Sequence, residues 1–138
     1  MAVETTLVLV KPDGMRRALA GEVVARLERR GFELRGARLL KIPRALAQEH
    51  YAEHKGKPFY AGLVSFITSG PVLALAVRGE SAIATVRTMM GATNPLDSAP
   101  GTIRGDYALE LSENIVHGSD SKASAKRELG LFFPDGLV

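Results

Sequence analysis

The chain is expected to be an α+β protein: one four-stranded antiparallel sheet made of two split βαβ units, in the order βαββαβ, with helices on one face. Three observations lead there. Short apolar runs rich in β-formers alternate with segments of helical period, so neither type of element dominates. With a helical pair in the middle set aside as an insertion, the elements run strand, helix, strand, strand, helix, strand, the order called ferredoxin-like. The 138 residues suit one compact domain, able to bury about two-thirds of its unfolded surface without staples.

Residues 5–10 are apolar and β-rich, and Lys11-Pro12-Asp13-Gly14 stops them with turn chemistry. In residues 21–30, Val23, Val24 and Leu27 recur at helical spacing with arginines and glutamates opposite, and Gly31 ends the segment. Residues 34–42 read as a second strand closed by Pro43. Residues 45–53 and 58–67 form the inserted helix pair, separated by His54-Lys55-Gly56-Lys57. Residues 71–77 are a third buried strand, stopped at Arg78-Gly79. Residues 81–90 return to helical period, residues 115–117 form a short fourth strand, and residues 121–129 a last helix. Between Met90 and Ile115 about two dozen residues have no clear period and carry Pro95, Pro100, Gly91, Gly101 and Gly105. Loops that long are uncommon in compact domains and are often functional, so this one is expected to be an active-site loop.

Charge and composition narrow the class. Residues 1–44 hold ten of the 18 lysines and arginines against five acids, a local balance of +5 that leaves −2 for the rest. A basic third of this kind attracts polyphosphate or nucleic acid, although most of these arginines read as a solvated helix face and strand edges. The absence of cysteine excludes disulfides and thiolate metal sites. The first residues lack the basic start and apolar core of a signal peptide, and no apolar run approaches a membrane span. A soluble, cytoplasmic protein with no membrane partner is expected.

The stretch that carries chemistry is Asn114-Ile115-Val116-His117-Gly118-Ser119-Asp120. Neutral imidazole is a usable nucleophile near pH 7 and needs orientation more than activation. Gly118 removes a side chain next to the ring and is expected to leave room for a phosphoryl group. Ser119, Asp120 and Ser121 are good N-cap residues for the last helix, whose amino end favours an anion. Glu128, near that helix's other end, can fold back onto a ring nitrogen. His50 and His54 share a helix face at a spacing used for zinc, but without a third histidine at fitting distance they read as solvated helix residues. There is no Walker phosphate loop.

Six blocks resemble nucleoside diphosphate kinases, in that family's order and over nearly the whole chain. They are Lys11-Pro12-Asp13-Gly14; Tyr51-Ala52-Glu53-His54-Lys55-Gly56 with Pro58-Phe59; Thr68-Ser69-Gly70-Pro71; Gly91-Ala92-Thr93-Asn94-Pro95; Pro100-Gly101-Thr102-Ile103-Arg104; and residues 114–120. The resemblance implies a single nucleoside diphosphate kinase domain over residues 1–138. It also implies transfer of the γ-phosphate of a nucleoside triphosphate, mainly ATP, to a nucleoside diphosphate by a ping-pong route through phosphohistidine at His117. His117, Lys11, Glu128 and Ser119 make up the implied catalytic set. Lys11, Tyr51, Phe59, Leu63, Arg87, Thr93, Arg104 and Asn114 are the implied nucleotide-binding residues: Lys11, Arg87 and Arg104 as cations, Thr93 as a hydroxyl, Lys11 and Asn114 at the ribose, Tyr51 near the phosphates. Phe59 and Leu63 lie one helical turn apart, on a different face from Tyr60, Val64 and Ile67, and can hold a base by its flat side. Mg2+ is the implied cofactor, held mainly by nucleotide phosphates and water because no carboxylate cage is evident. A homo-oligomer, tetramer or hexamer, is implied as well.

Leu131-Phe132-Phe133 stands where the family often has a tryptophan, a departure that bears on packing more than on chemistry. The competing reading is a basic nucleic-acid-binding module on a ferredoxin-like sheet. It needs aromatic residues projecting from central strands, and residues 5–10 and 72–77 contain none, so nucleic acid is not the expected partner.

Overall fold

The computed structural model describes residues 2–138. Strand β1 (Val3–Val10) lies between β3 (Pro71–Glu80) and β4 (Val116–Gly118), and β2 (Glu33–Lys41) pairs with the outer side of β3. All pairings are antiparallel, and the sheet order is β2-β3-β1-β4. This is the ferredoxin-like arrangement that the element order predicts.

Helices cover both sides of the sheet. Val8, Val10, Leu75 and Val77 face the two crossover helices α2 (Ala20–Arg30) and α5 (Ala82–Met90), meeting Val23, Leu27, Val86 and Met90. These two helices share one face, as the βαββαβ order requires. The intervening residues Leu7, Leu9, Val72 and Ala74 point the other way. They meet Ala47 of α3 (Arg44–His50), Val64 and Ile67 of α4 (Tyr60–Ile67), and Phe132 of α7 (Lys122–Phe132). β1 and β3 are therefore continuous apolar runs because both of their faces are covered, and each fully buried aliphatic side chain contributes about 1.5–3 kcal/mol. Both faces of the central strands β1 and β3 are covered, so these two strands offer single-stranded nucleic acid no open platform.

Several boundaries differ from expectation for identifiable reasons. Pro12-Asp13-Gly14 opens a short helix, α1 (Pro12–Arg16), instead of a turn, since proline's fixed φ suits a first helical position. Strand β3 runs through Arg78-Gly79 because Arg78 is paired on both sides, with Thr5 and Glu33. Gly79 serves packing there: a Cβ would lie 2.4 Å from the Phe32 ring. Helix α3 stops at His50 and continues as a 3-10 turn over Ala52–His54. The long loop contains a 3-10 turn, Pro95–Asp97, and a short helix α6 (Ile103–Tyr107), whose N-cap Thr102 accepts a 3.0 Å hydrogen bond from the Gly105 amide. No helix among the described residues is long and apolar enough to cross a membrane.

Candidate active site

His117 lies opposite Leu9 in the β1–β4 ladder, so its side chain joins the α3–α4–α7 face of the sheet. The chain enters β4 through a tight turn at Ile115, whose φ of +75° is unusual for a β-branched residue. Three hydrogen bonds hold that conformation. The Val116 amide donates to the Asn114 carbonyl (2.8 Å), the Ile115 amide to Asp13 Oδ2 (2.9 Å), and the Lys11 amide to the Ile115 carbonyl (2.8 Å). Such a residue stores on the order of 1–3 kcal/mol of strain. The turn locks β4 to the Lys11-Pro12-Asp13 segment, so two motifs about a hundred positions apart act as one structural unit.

Polar groups converge on this unit. Lys11 Nζ donates to Asn114 Oδ1 at 2.7 Å, and Asn114 Nδ2 donates to the Thr93 carbonyl at 2.8 Å. Arg104 is buried and donates to three backbone carbonyls, Asn114 (3.2 Å), Gly91 (3.0 Å) and Val116 (2.7 Å). Arg87 donates to the Gly118 carbonyl at 3.0 Å. Burial pushes the Lys11 ammonium down to about 8, with Asp13 raising it and Arg104 lowering it further. Burial, with Arg87 adding to it, brings the Arg104 guanidinium down to about 10. Cations held this way, with no ion-pair partner in contact among the described residues, are suited to an incoming polyanion.

The imidazole itself is fixed from one side. His117 Nε2 is 2.8 Å from Glu128 Oε1, and Ser119 Oγ donates to the same oxygen at 2.9 Å while accepting from the Leu7 amide at 3.3 Å. Helix α7 carries Glu128 to this point, capped at its start by Ser121 Oγ, which accepts from the Ser124 amide at 3.0 Å. Burial alone would raise the Glu128 carboxyl; hydrogen bonding from His117, the His117 and His50 charges and the Ser119 hydroxyl together hold it below the usual carboxylate range. Among the described residues Nδ1 of His117 has no hydrogen-bond partner, and 24% of the side chain is exposed.

Two expectations need correction. Gly118 does not make room beside the ring, because successive strand residues point to opposite faces. A Cβ there would meet Met90 Cε at 2.8 Å and Sδ at 2.9 Å in the α2–α5 core. His50 is not a solvated helix residue. It is 3% exposed, and its ring stands edge-on to those of His117 (4.7 Å between centroids), Tyr51 (4.7 Å) and Phe132 (5.4 Å). Burial holds the His50 imidazole down to about 3, with His117, Arg127 and Lys11 adding to this and Glu128 opposing it. His54, by contrast, is partly exposed beside Glu53 and Lys57.

The remaining expected residues lie further along the same face. Tyr51 packs on the His50 ring, and burial pushes its hydroxyl up to about 12, with Glu128 contributing. Phe59, at the start of α4, is 51% exposed, with His54 at 5.3 Å between ring centroids and Lys57 Nζ at 5.7 Å from its own. Leu63 is partly buried while Val64 and Ile67 are fully inside, so α4 is divided between partly exposed and core positions.

The family model described as nucleoside diphosphate kinase matches residues 4–138. The chain belongs to the nucleoside diphosphate kinase family. A nucleoside diphosphate kinase from Carboxydothermus hydrogenoformans is 56% identical over 133 residues, covering 96% of this chain and 89% of that protein. One from Archaeoglobus fulgidus is 56% identical over 136 residues, covering 99% and 90%. Among solved structures, a halophilic nucleoside diphosphate kinase from Halobacterium salinarum in complex with CDP superposes with a TM-score of 0.96 at 52% identity, covering 99% of this chain and 92% of that one. As a member of this family the protein is a phosphotransferase acting on nucleotides. His50 is the residue of the site that sequence reasoning missed. Local pattern gave no signal for it: Ala47, one helical turn earlier, is fully inside, but the rings that bury His50 come from distant parts of the chain.

Proposed function

We propose that residues 1–138 act as one domain that transfers the γ-phosphate of a nucleoside triphosphate, mainly ATP, to a nucleoside diphosphate by a ping-pong route through Nδ1 of His117. The 2.8 Å contact between His117 Nε2 and Glu128 Oε1 carries this reading. With the proton on Nε2 and donated to the carboxylate, the lone pair of the neutral ring sits on Nδ1, the nitrogen left without a partner. In the first half-reaction Nδ1 attacks the γ-phosphorus, the bond to the β–γ bridging oxygen breaks, and the nucleoside diphosphate leaves. In the second, a terminal oxygen of another nucleoside diphosphate attacks that phosphorus and the P–N bond breaks, restoring the imidazole. Donor and acceptor share the same diphosphate and ribose, so one set of contacts serves both halves.

Transfer spreads negative charge over the phosphoryl oxygens, and catalysis is chiefly positioning plus electrostatic stabilisation. Lys11, Arg87 and Arg104 are the proposed cations, Thr93 a neutral donor and Tyr51 a donor at the phosphate end. Lys11 and Asn114, already bonded to each other, are assigned to the ribose, and Phe59 with Leu63 to the flat face of the base. A surface of that kind reads no base edge and suits broad nucleotide use. Ser119 and Glu128 orient the ring. Mg2+ is assigned to the nucleotide's phosphates and water: the only cluster of three potential protein ligands among the described residues is His50, His117 and Glu128, and it holds the nucleophile. When bound, the ion neutralises phosphate charge. The exposed edge of β2 with Leu39, and the exposed Leu96, Leu109 and Leu111 of the long loop, support assembly into a tetramer or hexamer, which light scattering measures. A cytoplasmic location is part of the same reading.

Incubation with γ-labelled ATP and Mg2+ is the test. The expected product is an acid-labile, base-stable label on His117 that any nucleoside diphosphate discharges. Folded protein that takes no label would overturn the reading.

A further inference from the structure

His50 has a chemistry that phosphate transfer leaves unused. Both of its ring nitrogens are buried, and neither has a hydrogen-bond partner, an arrangement proteins avoid unless something fills the gap. One ring nitrogen of His50, one of His117 and a carboxylate oxygen of Glu128 lie within 4.8 Å of one another. Two imidazoles and a carboxylate, with an open fourth position, form a ligand set typical of zinc. We propose that these three side chains bind a borderline divalent cation such as Zn2+, with water as fourth ligand, and that this cation, while bound, blocks phosphorylation of His117.

The geometry is close to what zinc needs. Bonds of about 2.0–2.2 Å in a tetrahedron set ligands about 3.4 Å apart, so the widest pair must close by at most about 1.4 Å from its 4.8 Å limit. Mg2+ does not suit the site, since it prefers oxygen ligands in an octahedron. The charges facing the three ligands are Glu128 itself, Lys11 and Arg127, whose Nη2 is 3.8 Å from Glu128 Oε2. The two cations oppose a metal dication and keep the affinity below that of structural zinc sites.

The consequence for His117 follows from proton bookkeeping, and it rests on the transfer mechanism proposed above, whereas the metal site itself does not. Coordination through Nε2 displaces the proton from that nitrogen. A neutral ring then carries its proton on Nδ1, which loses its lone pair; coordination through Nδ1 occupies the nucleophile outright.

Calorimetric titration of the full chain with Zn2+, in buffer free of nucleotide and chelator, tests the site. One Zn2+ per chain is expected, with affinity lowered more than about tenfold in His50→Gln. His117→Ala, which removes a second ligand, is expected to lose affinity as well, a measurement that holds even if His50→Gln does not fold, and Zn2+ is expected to slow the labelling of wild-type His117 by ATP in excess Mg2+. No binding by the wild type up to about 1 mM, equal affinity in His50→Gln or in His117→Ala, or labelling of His117 that Zn2+ does not slow, overturns the proposal. Zinc binding that depends on His50, in a protein whose His117 takes no label, would leave the metal site standing and defeat the transfer mechanism alone.

Discussion

The two faces of one sheet are built from the same strands yet do different work. Toward α2 and α5 the buried surface is mainly apolar, led by Val8, Val10, Leu75, Val77, Leu27 and Met90, with Thr6 of β1 a buried polar exception. Toward α3, α4 and α7 an apolar patch around Leu7, Leu9 and Ile67 gives way at β4 to four buried or part-buried polar groups, His50, His117, Ser119 and Glu128. Alternation along a strand allows this division, because each residue commits to one face only. A protein can thus keep one face for stability and let the other carry polar groups that must be satisfied. The inserted pair α3–α4 and the C-terminal helix, which are additions to the βαββαβ unit, are what turn the second face into a site.

The sharpest way to break this comparison is to remove one side chain from each face. His117→Ala should reduce phosphate exchange by at least about 10³-fold and abolish the labelled intermediate, while thermal unfolding stays close to that of the parent. Leu27→Ala on the opposite face should cost about 2–5 kcal/mol of stability and leave the rate per folded molecule near the parent value. If Leu27→Ala slowed the chemistry as much as the stability loss alone cannot explain, the separation of the two faces would be wrong.

Smaller changes refine it. Glu128→Gln retains shape but replaces a charged acceptor with a neutral one. The expected loss in the phosphorylation rate corresponds to about 1.5–3 kcal/mol, or roughly 10- to 150-fold, with little change in nucleotide binding. Gly118→Ala tests the boundary between the faces directly. The added methyl should overpack Met90 and lower stability by about 1–3 kcal/mol, and Met90→Ala in the same chain should relieve part of that strain. Were Gly118 instead spacing for the phosphate, stability would be unchanged and Met90→Ala would rescue nothing.

How far the sequence reaches follows the same division. Elements set by period were legible: α2 with its left-handed Gly31 cap, the apolar strands β1 and β3, and the split of α4 between Phe59 and Val64. The partnership of Glu128 with His117 was legible as well, since a last helix following β4 can bring a carboxylate back over it. What local pattern could not carry was pairing across the sheet. Whether Arg78-Gly79 ends a strand depends on partners at Thr5 and Glu33, and whether Gly118 faces the ligand depends on Met90. His50 was misjudged for the same reason. Its helix is short, and the rings that bury it, from His117 and Phe132, lie far along the chain.

His50 also gives the mildest test, one that reads stability and not rate. In the unfolded chain a histidine takes a proton near pH 6.5, but in the folded protein this one is held to about 3. Between those values the unfolded state binds more protons, so stability rises with pH. The contribution is fully present above about pH 6.5 and is lost on acidification toward pH 3, with a slope of at most about 1.4 kcal/mol per pH unit. Glu128, whose carboxyl is also held low, loses stability in the acid range too, so the wild-type curve alone does not separate the two. His50→Gln does, because glutamine does not titrate. Denaturant melts from pH 7 to pH 4 should show a shallower decline for this variant than for the parent. Parallel curves would mean that the His50 ring is already protonated or hydrated in the native protein, and the dry, neutral imidazole behind His117 would have to be abandoned.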